Sequence, residues 1–136
     1  MTQEEKDLLR KDLSARLPYG TIVSVTDGTI KYEAYIESVS YQNIQVSPVS
    51  DSNFTAHTFY KISEIKPYLR PMSSMTEEEE IEYINIDNRS YSCPLEYAHI
   101  PASERIDWLN AHHFDYRGLI KKGLAIEVTK ENNPYK

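Results

Sequence analysis

Four side chains close to the C-terminus have the types and spacing to do chemistry: His112, His113, Asp115 and Arg117. An imidazole titrates near neutral pH and can move a proton or ligate a metal. His112 and Asp115, three residues apart, could converge as an acid–base or metal pair, and arginine with histidine could hold an anion such as a phosphate. The bland reading is structural. His113 then follows Leu109 on a packed helix face, and His112 is a corner residue bonded to backbone. Adjacent helical histidines diverge by about 100° and cannot share one ion unless the helix breaks between them. No HExxH or HxH pattern surrounds the pair, and we expect neither a metal nor a cofactor. Cys93 and His99 could extend the set toward a metal site, but one cysteine at irregular spacing is a weak signature. The acidic run Glu77 to Glu80 has the look of catalytic carboxylates. It fits better as a helix N-terminus, where the macrodipole favours negative charge.

The elements that position these residues follow from local signals. Ser103 is placed to cap a helix carrying Ile106, Leu109 and His113 on one face, with Trp108 on its flank. Phe114 ends that helix. Asp115 can cap a second, short helix that Gly123 stops, with Lys121 and Lys122 in its last turn. Leu124, Ile126 and Val128 alternate as a short strand. Burial of Trp108, Leu109, Phe114, Leu119 and Ile120 at ~2 kcal/mol each would give this block a large share of the core. Upstream, Thr76 with Glu79 forms a capping box, and Ile81 and Ile84 supply the apolar contacts of the helix that follows. Residues 86–99 are either an insertion loop or a hairpin turning at Asp87-Asn88.

The front of the chain reads differently. Thr2 with Glu5 is a capping box for a helix to about Leu17, whose stripe of Leu8, Leu9, Asp12, Leu13 and Arg16 is narrow enough to lie across the outside of the domain. After Pro18-Tyr19-Gly20 come four strand-like runs. Thr21 to Thr26 leads into a two-residue turn at Asp27-Gly28. In 29–39, Ile30, Tyr32, Ala34 and Ile36 alternate with Lys31, Glu33, Tyr35 and Glu37. Ile44 and Val46 follow a turn at Tyr41-Gln42-Asn43, and a fourth run spans 54–60. A helical turn at 61–65 precedes a fifth strand at 66–69, where Pro67 argues for a sheet edge. The order predicts an α+β protein. Its core is a small SH3-like or Sm-like five-stranded β-barrel over about 20–70, with an N-terminal helix (1–17), a helical region ending in a strand (76–128) and a tail (129–136). All 136 residues form one domain in this reading.

Two segments, Lys66 to Glu79 and Asp107 to Ala125, resemble blocks shared by small proteins of anaerobic gut bacteria and of their phages or mobile elements. The blocks cover about a quarter of the chain. The resemblance implies a mobile-element or phage-related accessory protein, and it carries no activity and no catalytic residue.

Composition narrows the function classes. The chain carries −6 net charge with 40% hydrophobic and 26% charged residues, which fits a globular protein and argues against nucleic acid or an anionic membrane surface as partner. One cysteine cannot form an internal disulfide. Met1 to Asp7 contains no apolar leader core, so the cytoplasm is the expected compartment. Tyrosine outnumbers the other aromatics, 11 against 3 Phe and 1 Trp, and suits half-wet contact surfaces. The favoured function is therefore a non-enzymatic binding module with a protein partner, engaged through the barrel loops, including Tyr41, or through the region of Tyr91 and Tyr97. One alternative is a small-ligand or metal site on His112, His113 and Asp115. The other is a weak nucleic-acid binder using 103–128 as part of a winged helix, although six basic and five acidic residues between 101 and 136 make a thin phosphate footprint.

Overall fold

A computed structural model describes residues 1–28, 30–49, 58–92 and 99–135. The chain is α+β, with helices packed on and beside one open mixed sheet. Helix α1 (Gln3–Arg16) begins at the expected capping box: the Thr2 hydroxyl accepts from Glu5 N at 3.1 Å, and Glu5 Oε1 accepts from Thr2 N at 3.0 Å. Its stripe is not on the outside. Leu9 and Leu13 are fully buried against Val23, Val25, Ile36, Val46, Ile62 and Ile65, so α1 covers the inner face of the sheet. Gly20 leaves the helix at φ 66°, a conformation that costs glycine little.

Strands β1 (Ile22–Asp27), β2 (Ile30–Val39), β3 (Ile44–Pro48) and β4 (Thr58–Tyr60) form an antiparallel meander. The alternation in β2 is as expected: Ala34 and Ile36 are buried, while Lys31, Glu33, Tyr35 and Glu37 face solvent. A bulge at Glu37 shifts the β2–β3 register between Ile36 and Ser38. The first turn lies one residue later than expected. Asp27 pairs with Ile30, so Gly28, at φ 59°, opens the two-residue loop.

A single 3₁₀ turn at Ile62–Glu64 leads into β5 (Ile65–Pro71). With the two-residue strands β6 (Phe114–Asp115) and β7 (Ile126–Glu127), the strand order is β4-β3-β2-β1-β5-β6, with β7 also on β5. This sheet is open, and the expected five-stranded barrel closure is absent among the described residues. The physical reason is that the second edge of β5 is already occupied. Strands β6 and β7 both pair with it in parallel. Pro67 therefore sits in a strand with neighbours on both sides, contrary to the edge expectation. It is tolerated because the parallel partners begin only at Tyr68, and Pro67 itself is opposite Val23 of β1 alone.

Beyond β5, α2 (Glu77–Ser92) and α3 (His99–Ala111) pack together. Helix α2 runs straight through Asp87-Asn88, so no hairpin turns there. Helix α3 starts before Ser103, which lies inside it, and ends before Phe114, which is a strand residue. Ile106 is 38% exposed because α3 turns Leu109 and Asn110 inward instead. Ile81 and Ile84 are 61% and 52% exposed and are not the buried anchors of α2. That role falls to Tyr83, whose ring lies 5.6 Å from Trp108. No helix among the described residues is long and apolar enough to cross a membrane.

Candidate functional site

The segment after α3 is held by side chains from distant parts of the chain. His113 takes φ 62°, the one non-glycine residue with positive φ among those described. Its N–H donates to Asn110 O at 3.0 Å, so it ends α3 in the left-handed position that a glycine or asparagine usually takes. The backbone turned there becomes β6. Arg70 N donates to His113 O at 2.8 Å, and the Arg70 guanidinium stacks 4.2 Å over the Phe114 ring. Arg16 Nη2 donates to Phe114 O at 2.6 Å. Phe114, fully buried, is thus held by two arginines, one over its ring and one on its carbonyl.

Each arginine has a carboxylate. Arg16, 0% exposed, binds Asp12 one helical turn away through Nε at 2.8 Å and Nη2 at 3.3 Å. Asp12 is equally buried and also accepts from Arg117 Nε at 3.1 Å. Arg70 grips Glu79 with both Nη atoms, at 2.7 and 2.8 Å, and donates to Ser74 O. The Arg70 pairing, with help from the Thr76 cap, holds the Glu79 carboxyl down at about 2. Glu79 also completes the expected capping box with Thr76.

Asp115 does act as a cap. Its two oxygens accept from Leu119 N and Ile120 N, both at 2.9 Å. Gly123 does act as a stop: its N–H bonds Ile120 O, and Leu124 N–H bonds Leu119 O, with Gly123 at φ 74°. Between the two there is only one turn, not a helix, because Gly118 at φ 76° breaks the backbone just before it. The second helix that a winged-helix reading needs is therefore missing from this segment.

The two histidines part company. His112 stacks on Trp108 at 4.1 Å, and its Nδ1 lies 2.9 Å from Trp108 O, which commits that nitrogen to donation. His113 stacks face to face on Tyr135 at 3.8 Å. Burial, with the positive charge of Arg16 nearby, pushes the His113 imidazole down to about 4, so it is neutral at physiological pH. Its Nδ1 is buried without a hydrogen-bond partner. Both rings line a cleft of about 590 Å³ whose other walls include Arg70, Ser74, Lys130, Asn133 and Tyr135. Asp115 and Arg117 do not line it. The structure therefore gathers His112 and His113 at one cleft and assigns Asp115 and Arg117 to the fold.

Among the remaining expected residues, Tyr41 is 77% exposed in the β2–β3 turn, with the Arg10 guanidinium 5.1 Å from its ring. Tyr91 is in the last turns of α2. Tyr97 and Cys93 lie outside the described residues. Among the described residues no three His, Cys, Asp or Glu side chains gather as a metal would require.

Tyr135 was not singled out by pattern. Its hydroxyl donates to Tyr68 O at 2.7 Å and accepts from Ile22 N at 3.1 Å, and burial raises its pKa. This bond folds the tail back over the β1–β5 junction. Asn132 prepares the return by accepting from Thr129 N and donating to Glu127 O. An Asn-rich run, Asn132-Asn133, was the available signal for a structured turn. Comparison of the chain with family models, with curated proteins and with solved structures finds no match.

Proposed function

We propose that this protein is a non-enzymatic binding module whose α2 face receives a basic, amphipathic segment of a protein partner, in the manner of an accessory protein of a phage or mobile element. The observation that carries the reading is the exposure of Ile81 and Ile84 within an acidic field. Three residues apart on α2, they share one face, and the exposed Glu77, Glu78 and Glu80 precede them by one turn. The opposite side of the helix is occupied by the Tyr83–Trp108 contact and by the bond from Trp108 Nε1 to Glu82 at 3.0 Å. Exposed apolar side chains rimmed by one sign of charge favour association with a partner of the opposite sign. A helical segment with apolar anchors and lysines or arginines beside them has that chemistry. The uptake of Asp115 and Arg117 by the fold supports this reading over a metal or acid–base site; the mobile-element setting is proposed from the sequence reading of the 66–79 and 107–125 blocks alone.

Fluorescence anisotropy with a labelled leucine–lysine amphipathic peptide tests the surface. The expected result is salt-sensitive binding that the Ile81→Ser, Ile84→Ser double variant weakens by about tenfold or more, because buried apolar anchors carry most of such an interface. The double variant keeps every glutamate. Equal binding by both proteins would mean that charge alone attracts the peptide, and the reading would fail.

A further inference from the structure

We propose that the cleft between the Arg70–Ser74 segment, the His112–His113 corner and the C-terminal segment binds a small organic anion, with Lys130 as its charge partner. Size is the first argument. At about 590 Å³ the cleft falls within the range of small-molecule sites. Sign is the second. The chain carries −6 overall, yet among the described residues no Asp or Glu lines this cleft. The charge of Arg70 is already paired with Glu79, whereas Lys130 has no ion-pair partner among the described residues. The free positive charge of the site is therefore that of Lys130.

The third argument is the set of donors around it. Asn133 Oδ1 accepts from Tyr135 N at 2.9 Å, which fixes its amide orientation and leaves the NH₂ group to donate. His113 brings a buried nitrogen with no partner, at a backbone conformation that non-glycine residues seldom adopt. The stacked His113–Tyr135 pair and Val128 give the same cleft an apolar wall. An ammonium and an amide together with aromatic rings suit a carboxylate or phosphate monoester attached to a compact, flat body. The site is separate from the isoleucine face of α2 and stands or falls independently of it.

Trp108, the only tryptophan, reports on this cleft because His112 stacks on it. The probes are benzoate, phenyl phosphate and the neutral benzamide, titrated against the full chain with Trp108 fluorescence and amide chemical shifts as readouts. Expected are saturable changes centred on residues 112–113 and 128–135 for one or both anions. Stronger binding of phenyl phosphate assigns the site to phosphate monoesters; stronger binding of benzoate assigns it to carboxylates. Lys130→Gln should weaken the preferred anion roughly tenfold, the scale of one charge-assisted hydrogen bond. The control Lys11→Gln, and the Ile81→Ser, Ile84→Ser double variant, should leave it unchanged. The proposal is overturned if neither anion shifts these residues, if benzamide binds as tightly as benzoate, or if Lys130→Gln has no effect.

Discussion

The β1–β4 meander and the block from Asp107 to Tyr135 are held by different forces. In the meander, small apolar side chains at alternate positions do the work: Val23, Val25, Ala34, Ile44 and Val46 are at most 1% exposed. In the block, the two strands are only two residues long. Their own ladder bonds are too few to hold them. They stay on β5 because Arg16 of α1 and Arg70 of β5 bond the backbone at Phe114 and His113, Asp115 holds the turn that follows β6, and Tyr135 of the tail bonds Tyr68 O of β5. An apolar core loses stability by increments when methyl groups are removed. A polar anchor fails abruptly, because its loss strands a buried partner.

This contrast can be broken most directly at Asp12. Asp12→Ala leaves Arg16 buried without its carboxylate and frees Arg117, and we expect a loss of about 3–5 kcal/mol in urea denaturation. The next largest effect belongs to the tail. Tyr135→Phe keeps the ring on His113 but removes the hydroxyl that bonds Ile22 N and Tyr68 O. It should cost ~1–2 kcal/mol, with faster hydrogen exchange of the Ile22 amide as the local signature. In the meander, Ile44→Val should cost only about 1 kcal/mol, although Ile44 is 1% exposed. If Ile44→Val destabilises more than Asp12→Ala, the division between the two regions is wrong.

The pH dependence sharpens the same point. His113 is held near 4 in the fold and returns to 6.5 when the chain unfolds. The unfolded state then binds the extra proton between those values, so stability is fully present above about 6.5 and falls as pH drops toward 4. Urea midpoints at neutral and mildly acidic pH should therefore diverge in the wild type. The divergence should shrink in His113→Asn, which has no titrating ring and tolerates the left-handed backbone. An unchanged divergence in that variant would assign the acid sensitivity to another group.

The two regions were also unequally legible. In the meander each strand carries its own instructions, since a period of two states which side is buried, and β2 obeys it from Lys31 to Ile36. The capping boxes at Thr2–Glu5 and Thr76–Glu79 are equally local and equally readable. In the block, local signals were right in kind and wrong in extent. Asp115 caps and Gly123 stops, but Gly118 leaves a single turn where a helix was expected. Ile81 and Ile84 have the spacing of buried anchors, yet Tyr83 and Trp108 take that role because two aromatic rings cover more area between packed helices. His113 fits the helical face by counting, and leaves the helix because β5 draws its carbonyl to Arg70 N.

What the chain determines by itself is therefore what depends on neighbours within a few residues: the capping boxes that open α1 and α2, strand alternation, the stop at Gly123, and the acidic charge. What the tertiary structure decides is every pairing across long separations. The second edge of β5 goes to β6 and β7, the sheet stays open, and Asp12, read as part of a surface stripe, becomes the buried hinge between Arg16 and Arg117. The cleft at His113 exists only because Tyr135, 22 residues on, returns to stack on it. A side chain's hydrogen-bonding and charge define which partners it can take, but only the folded chain brings one of those partners within bonding distance and removes the water that would compete for it.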